Sequence, residues 1–77
     1  MITVYSKNNC PKCVQAKSVL NANGVEYIEV NIDEDAKGYK FIVDNDHKSL
    51  PQIYKDGVLF VDSVPALLKM SREGKLK

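Results

Sequence analysis

Ile2-Thr3-Val4-Tyr5-Ser6-Lys7-Asn8-Asn9-Cys10-Pro11-Lys12-Cys13 is the stretch on which the fold turns. Its first five residues are β-branched, aromatic or small, which suits a strand, and Lys7-Asn8-Asn9-Cys10-Pro11 then supplies turn and helix-start residues. Over residues 12–23 the apolar positions Val14, Ala16, Val19, Leu20 and Ala22 predict a helix that leaves Gln15, Lys17 and Asn21 towards solvent. Gly24 is its expected C-terminal stop. Residues 25–32 alternate around Glu26, Glu29 and Asn31 and read as a second strand. A strand-helix-strand crossover is right-handed in nearly all proteins, so these two strands are expected to be parallel, with the helix over one face.

Downstream, Asp33-Glu34-Asp35 suits the start of a second helix whose apolar side is Tyr39, Phe41, Ile42 and Val43, with Gly38 weakening it. Pro51-Gln52-Ile53-Tyr54 and Val58-Leu59-Phe60-Val61 flank Lys55-Asp56-Gly57, and Asp-Gly between β-rich runs is a strong hairpin signal. Asp62 or Ser63 then caps a last helix carrying Val64, Ala66, Leu67, Leu68 and Met70, with Pro65 tolerated in its first turn. Residues 71–77 are expected to fray. The order β-α-β-α-β-β-α predicts an α/β fold with a mixed four-stranded sheet and helices on both faces. Residues 1–77 are expected to form a single domain acting as a monomer.

A chain of 77 residues buries only roughly 60% of its unfolded surface, so function must sit on the core fold itself. Eleven basic and ten acidic residues leave a net charge of +1, and neither sign forms a block that would grip nucleic acid or an anionic membrane. No apolar run approaches the ~18 residues of a membrane span, and the start lacks the pattern of a secretory leader. A cytoplasmic location is the expectation.

The two cysteines enclose a loop too short for a disulfide to stabilise the fold appreciably through chain entropy, so chemistry is the better reason for them. Cys10-Pro11-Lys12-Cys13 lies where the first strand hands over to the first helix, the context in which C-x-x-C reads as a redox motif. The nucleophile in disulfide exchange is the thiolate, and an ordinary thiol of pKa ~8.5 is only a few per cent ionised near neutral pH. Unpaired amides and the dipole of a helix start favour the anion at Cys10. Pro11 fits the first helical position, and Lys12 and Lys7 add cationic charge. Cys13 comes round beneath Cys10 in helical spacing, placing it to resolve a mixed disulfide formed there.

The competing class is a metal module. Zinc needs about four ligands, and only His47 remains as a further soft one, so that reading requires two chains sharing zinc or an iron–sulfur cluster. His47 itself reads as a solvated loop side chain. Tyr5, Tyr27, Tyr39 and Tyr54 read as packing residues with polar tips, Tyr5 at the edge of the site.

Taken together, Val4-Tyr5-Ser6-Lys7, Cys10-Pro11-Lys12-Cys13, Ala16-Lys17, Leu20 and Ser49-Leu50-Pro51-Gln52-Ile53-Tyr54 make the chain resemble the glutaredoxins of the thioredoxin-like superfamily along nearly its whole length. The resemblance implies a thiol–disulfide oxidoreductase without a bound cofactor, using glutathione as co-substrate. It implies a cis peptide bond before Pro51, facing the dithiol, with Leu50 offering backbone hydrogen bonds to the bound thiol. Lys7 and Gln52, with Lys37 or Lys40, match the family's glutathione contacts, and Asp62 and Ser63 its γ-glutamyl end. The departure is Phe60-Val61, which replaces the usual Gly-Gly pair. The small glutaredoxin-like redoxins, reduced by thioredoxin reductase and serving ribonucleotide reductase, are the alternative within the family.

Overall fold

The computed structural model describes residues 1–76. Its elements are β1 (Ile2–Ser6), α1 (Pro11–Ala22), β2 (Tyr27–Asn31), α2 (Ala36–Asp44), β3 (Gln52–Lys55), β4 (Val58–Val61) and α3 (Val64–Arg72). The strands lie in the order β2-β1-β3-β4, with β1 parallel to β2 and antiparallel to β3, and with β3 antiparallel to β4. This is the mixed sheet expected from the element order.

Alternation along β1 divides the molecule into two layers of packing. Ile2, Val4 and Ser6 are buried on one face, while Thr3 and Tyr5 point to the other. Behind the first face, Val4 and Ile53 of the sheet meet Ala16 and Leu20 of α1 and Leu67 of α3, none of them with exposed surface. Behind the second face Tyr5 stacks on Phe41 of α2 with ring centroids 4.8 Å apart, and Tyr54 meets both rings edge-on. Burial raises the Tyr5 hydroxyl pKa, with Tyr54 and Asp35 adding to the shift.

The buried stripe of α1 is Cys13, Ala16 and Leu20. With Cys13 on that stripe, Val14 is turned about 100° away and is 58% exposed, so its expected inward place is not observed. In the hairpin, Asp56 and Gly57 both have positive φ, 52° and 83°, the handedness that matches strand twist in a two-residue turn.

Among the described residues the three helices end in the same way. The chain passes through positive φ at Gly24, Asp46 and Gly74, and the next amide reaches back to the carbonyl of Leu20, Ile42 and Met70 respectively. This closure shortens the second strand relative to its expected span, because Val25 is spent on the α1 exit. It also corrects the expectation of a frayed tail: α3 runs to Arg72, its closing bonds carry the chain to Lys75, and Leu76 packs against the core. Lys77 lies outside the described residues.

The second helix is present as expected, and Gly38, which weakened that expectation, is buried at its third residue. Asp35 caps the helix, its carboxylate accepting from the Gly38 amide at 3.0 Å. A Cβ at residue 38 would collide with the branched Cγ1 of Val30 on β2, so glycine is what allows the helix to lie close to the sheet. Gly38→Ala is therefore expected to destabilise the protein by about 1–2 kcal/mol in denaturant unfolding, despite the ~1 kcal/mol gain in helix propensity.

Candidate functional site

The turn between β1 and α1 builds the site. Asn9 takes a positive φ of 54°, which asparagine tolerates better than most residues, and Cys10 follows in extended geometry as the N-cap of α1. Pro11 occupies the first helical turn, where it removes an amide that would have had no partner. The turn is tied down from the end of β2 and the turn after it: the Asn8 amide donates to the Asp33 carboxylate at 2.8 Å, and the Asn31 side chain donates to Asn8 Oδ1 at 2.9 Å.

Cys10 and Cys13 are joined as a disulfide with Cα atoms 5.3 Å apart. The backbone N–H of Cys13 donates to the Cys10 sulfur at 3.2 Å, so a free amide of the first turn is aimed at that atom. Cys10 is 8% exposed and opens on two cavities, whereas Cys13 is 1% exposed and opens on one of them. The outer sulfur is thus the one within reach of a substrate.

Across from the dithiol, the Leu50-Pro51 peptide bond is cis, as the family resemblance implied. Lys7, Lys12, Lys48 and Leu50 wall a cavity of about 410 Å³ that opens on Cys10. A neighbouring cavity of about 310 Å³ brings Lys12, Leu50, Pro51, Asp62 and Ser63 together. Ser63 caps α3, its hydroxyl accepting from the Ala66 amide at 3.3 Å, while Asp62 is exposed.

Three of the residues considered in the sequence lie elsewhere. Gln52 stands opposite Tyr5 in the β1–β3 register and is 3% exposed, so it is buried under the loop instead of walling these cavities. Its amide donates to the Ser49 carbonyl at 2.9 Å, bracing the segment that carries Leu50 and Pro51, and its Oε1 has no partner. Lys40 pairs with Asp44 at 2.6 Å along α2, and neither it nor Lys37 walls the cavities beside Cys10. Besides Lys7 and Lys12, the loop residue Lys48, not expected from the sequence, walls the cavity on Cys10.

His47 is not a solvated loop residue. The closing turn of α2 returns its backbone to Ile42, and its Nε2 lies 2.7 Å from the Tyr54 hydroxyl. Tyr5 belongs to the aromatic layer under α2 and not to the rim of the site. Among the described residues no group of three or more His, Cys, Asp or Glu is placed to hold a metal ion. No described helix is long and apolar enough to cross a membrane.

On the other side of the dithiol a cavity of about 510 Å³ is walled by Cys10, Cys13, Val14, Lys17 and Glu29. Lys17 and the buried Ser6 both donate to Glu29 Oε2, at 2.8 and 2.7 Å. The Lys17 bond, followed by that from Ser6, lowers the Glu29 pKa below its ordinary value. A carboxylate lowered in the folded state stabilises above its unfolded pKa, and that contribution is lost as pH falls through the folded one. Side chains 26% and 36% exposed are well screened, so the pair contributes at most ~1 kcal/mol. Lys17→Met is expected to cost about that much at pH 7, and in acid unfolding the difference from wild type should disappear once the pH has fallen through the lowered Glu29 pKa.

Comparison with known proteins agrees with the geometry. The Glutaredoxin family model matches residues 2–60. The glutaredoxin-like protein NrdH of Lactococcus lactis subsp. cremoris is 35% identical over 68 residues, covering 88% of this chain and 94% of the relative. Among solved structures, glutaredoxin 1 of Francisella tularensis, complexed with cacodylate, superposes with a TM-score of 0.78 at 25% identity, covering 99% of this chain and 96% of that one. An Escherichia coli NrdH-redoxin, described as having a thioredoxin-like activity profile, shares the fold with a TM-score of 0.76 at 17% identity, covering 90% of this chain and 92% of that one. Because the family match runs from β1 into β4, and so takes in both the Cys-Pro-Lys-Cys turn and the cis Leu50-Pro51 segment, the chain belongs to the glutaredoxin family.

Proposed function

We propose that the protein reduces protein and glutathione mixed disulfides through Cys10 and Cys13, with glutathione returning the electrons in the cytoplasm. The observation that carries this reading is the Cys13 amide aimed at the Cys10 sulfur at the mouth of α1. In the reduced protein the same amide and the helix dipole stabilise a thiolate there, with Lys7 and Lys12 adding positive charge.

The Cys10 thiolate attacks one sulfur of a substrate R–S–S–R′, forming a Cys10–S–S–R bond and expelling R′S⁻, which takes up a proton. Cys13 then loses its proton and attacks the Cys10 sulfur, closing the internal disulfide and releasing RS⁻. Two electrons have passed from the dithiol to the substrate. Two glutathione molecules reverse the closure by the same exchange and leave as glutathione disulfide. Leu50 and the cis Pro51 form the shelf on which the substrate sulfur lies, and Asp62 and Ser63 receive the γ-glutamyl end of glutathione. Gln52 supports the shelf from beneath.

A second reading, reduction by thioredoxin reductase with ribonucleotide reductase as a target, is favoured by Phe60-Val61 in the family's glycine-pair position. The near full-length match to the Lactococcus NrdH favours it too. A reductant swap separates the two. Disulfide reduction is followed through NADPH oxidation, with glutathione plus glutathione reductase in one arm and thioredoxin reductase in the other. Turnover at least ~10-fold faster with glutathione supports the first reading, and the reverse supports the second. Turnover in neither arm would overturn both.

A further inference from the structure

Residues 45–51 carry the chain from α2 to β3, and most of that loop lies at the surface. Asn45, Asp46, Lys48 and Ser49 are exposed, and His47 and Leu50 are half-buried ahead of the buried Pro51. A loop with so little buried surface depends on hydrogen bonds for its shape. Three hold it. The His47 backbone N–H donates to the Ile42 carbonyl at 3.0 Å, and the Gln52 amide donates to the Ser49 carbonyl at 2.9 Å. The third joins side chains: His47 Nε2 lies 2.7 Å from the Tyr54 hydroxyl, with the two rings edge-on and their centroids 5.8 Å apart.

The aromatic layer does not need this third bond. Tyr54 is 8% exposed, and its ring meets Tyr5 and Phe41 edge-on at 5.7 and 4.9 Å between centroids, contacts that a phenylalanine would also make. What the hydroxyl adds is a partner for His47. Hydroxyl and imidazole can each donate or accept, so the bond forms with either tautomer of the ring. It ties the loop, just ahead of Lys48 and Leu50, to the strand that follows Pro51. We propose that the His47–Tyr54 hydrogen bond latches this loop, and that His47 and Tyr54 are positioning residues which hold Lys48 and Leu50 beside Cys10. With the bond removed, residues 48–50 gain conformational freedom that a bound substrate has to take away again. Substrate binding then weakens, while attack by the Cys10 sulfur, set up by α1, proceeds as before.

The inference rests on the disulfide-exchange reading, and the test keeps the two apart. Reduced protein is mixed with the mixed disulfide of glutathione and β-mercaptoethanol in single turnovers, which need no reductase. Tyr54→Phe and His47→Leu should each raise the half-saturating concentration about fivefold and leave the limiting rate within about twofold of wild type. The double variant should match either single one, because both changes remove the same bond. His47→Gln, whose side-chain amide offers a donor and an acceptor, should bring half-saturation back to within about twofold of wild type. Thermal unfolding of the same variants exposes a merely structural role: a lowered melting temperature with half-saturation unchanged would overturn the latch. Effects that multiply to about 25-fold in the double variant would overturn it too, since the two side chains would then act separately. The iodoacetamide midpoint of Cys10 should stay at its wild-type value throughout, and a midpoint that moved with half-saturation would assign the effect to the thiolate instead of the loop. Failure of the wild-type protein to react would overturn the exchange reading, and the latch with it.

Discussion

Cys10→Ser is expected to lower disulfide reduction by at least ~10³-fold, whereas Cys13→Ser should retain reduction of glutathione mixed disulfides and lose that of protein disulfides. The asymmetry follows from position. Cys10 is the sulfur that opens on two cavities and accepts the Cys13 amide, so a hydroxyl in its place removes the one nucleophile the site presents. Cys13, at 1% exposure, presents far less surface to an incoming disulfide and acts after Cys10 has reacted. A mixed disulfide with glutathione can still be cleared by a second glutathione when Cys13 is absent. A mixed disulfide with a protein needs the internal attack. Steady-state rates on a glutathione mixed disulfide and on a protein disulfide, measured for both variants, check the pattern. Equal loss in the two variants on both substrates would remove the distinction between attacking and resolving sulfur.

Leu67→Ala should destabilise the fold by about 3 kcal/mol, within the range for leucine truncation at a site with no exposed surface. Leu67 fills the layer where α3 meets α1 and the sheet, beside Val4, Leu20 and Ile53. A protein of 77 residues has a total stability of roughly 4–11 kcal/mol, so this one truncation removes a large fraction of it. The melting temperature should fall by about 15 °C, at some 4–8 °C per kcal/mol for a domain of this size. Val58→Ala, at a side chain 68% exposed on the edge strand β4, should stay within ~0.5 kcal/mol of wild type and serves as the control. Thermal unfolding of the two variants under one reducing condition measures both.

The strands, the hairpin and the first helix were legible because each depends on local chemistry: β-branched alternation in Ile2-Thr3-Val4, Asp-Gly in the turn, Pro11 and Gly24 at the helix limits. The helix-mouth position of Cys10 was legible for the same reason. The cis Leu50-Pro51 bond was not, since nothing within the dipeptide favours it, and only the family resemblance implied it. Where tertiary contacts decide, local reading carried less. Gly38 weakened a helix reading that the structure bears out, because the approach of Val30 from another strand cannot be seen along the chain. His47 read as solvated because its partner, Tyr54, is supplied by β3. Lys37 or Lys40 was expected there and Lys48 was not, because which lysine joins Lys7 and Lys12 beside Cys10 depends on how the loop returns from α2 to the cis-proline. Gln52 is read as a substrate contact from its place beside Pro51, and its position on the Tyr5 face is set by the sheet register.

The central claim is that the first-turn amides of α1 hold the Cys10 sulfur as an anion near neutral pH. Its most direct test is the rate of iodoacetamide alkylation of Cys10 in the reduced protein, followed by mass spectrometry from pH 4 to pH 10. A midpoint at least about one unit below the ~8.5 of an ordinary thiol is the predicted result. A midpoint at or above that ordinary value would contradict it.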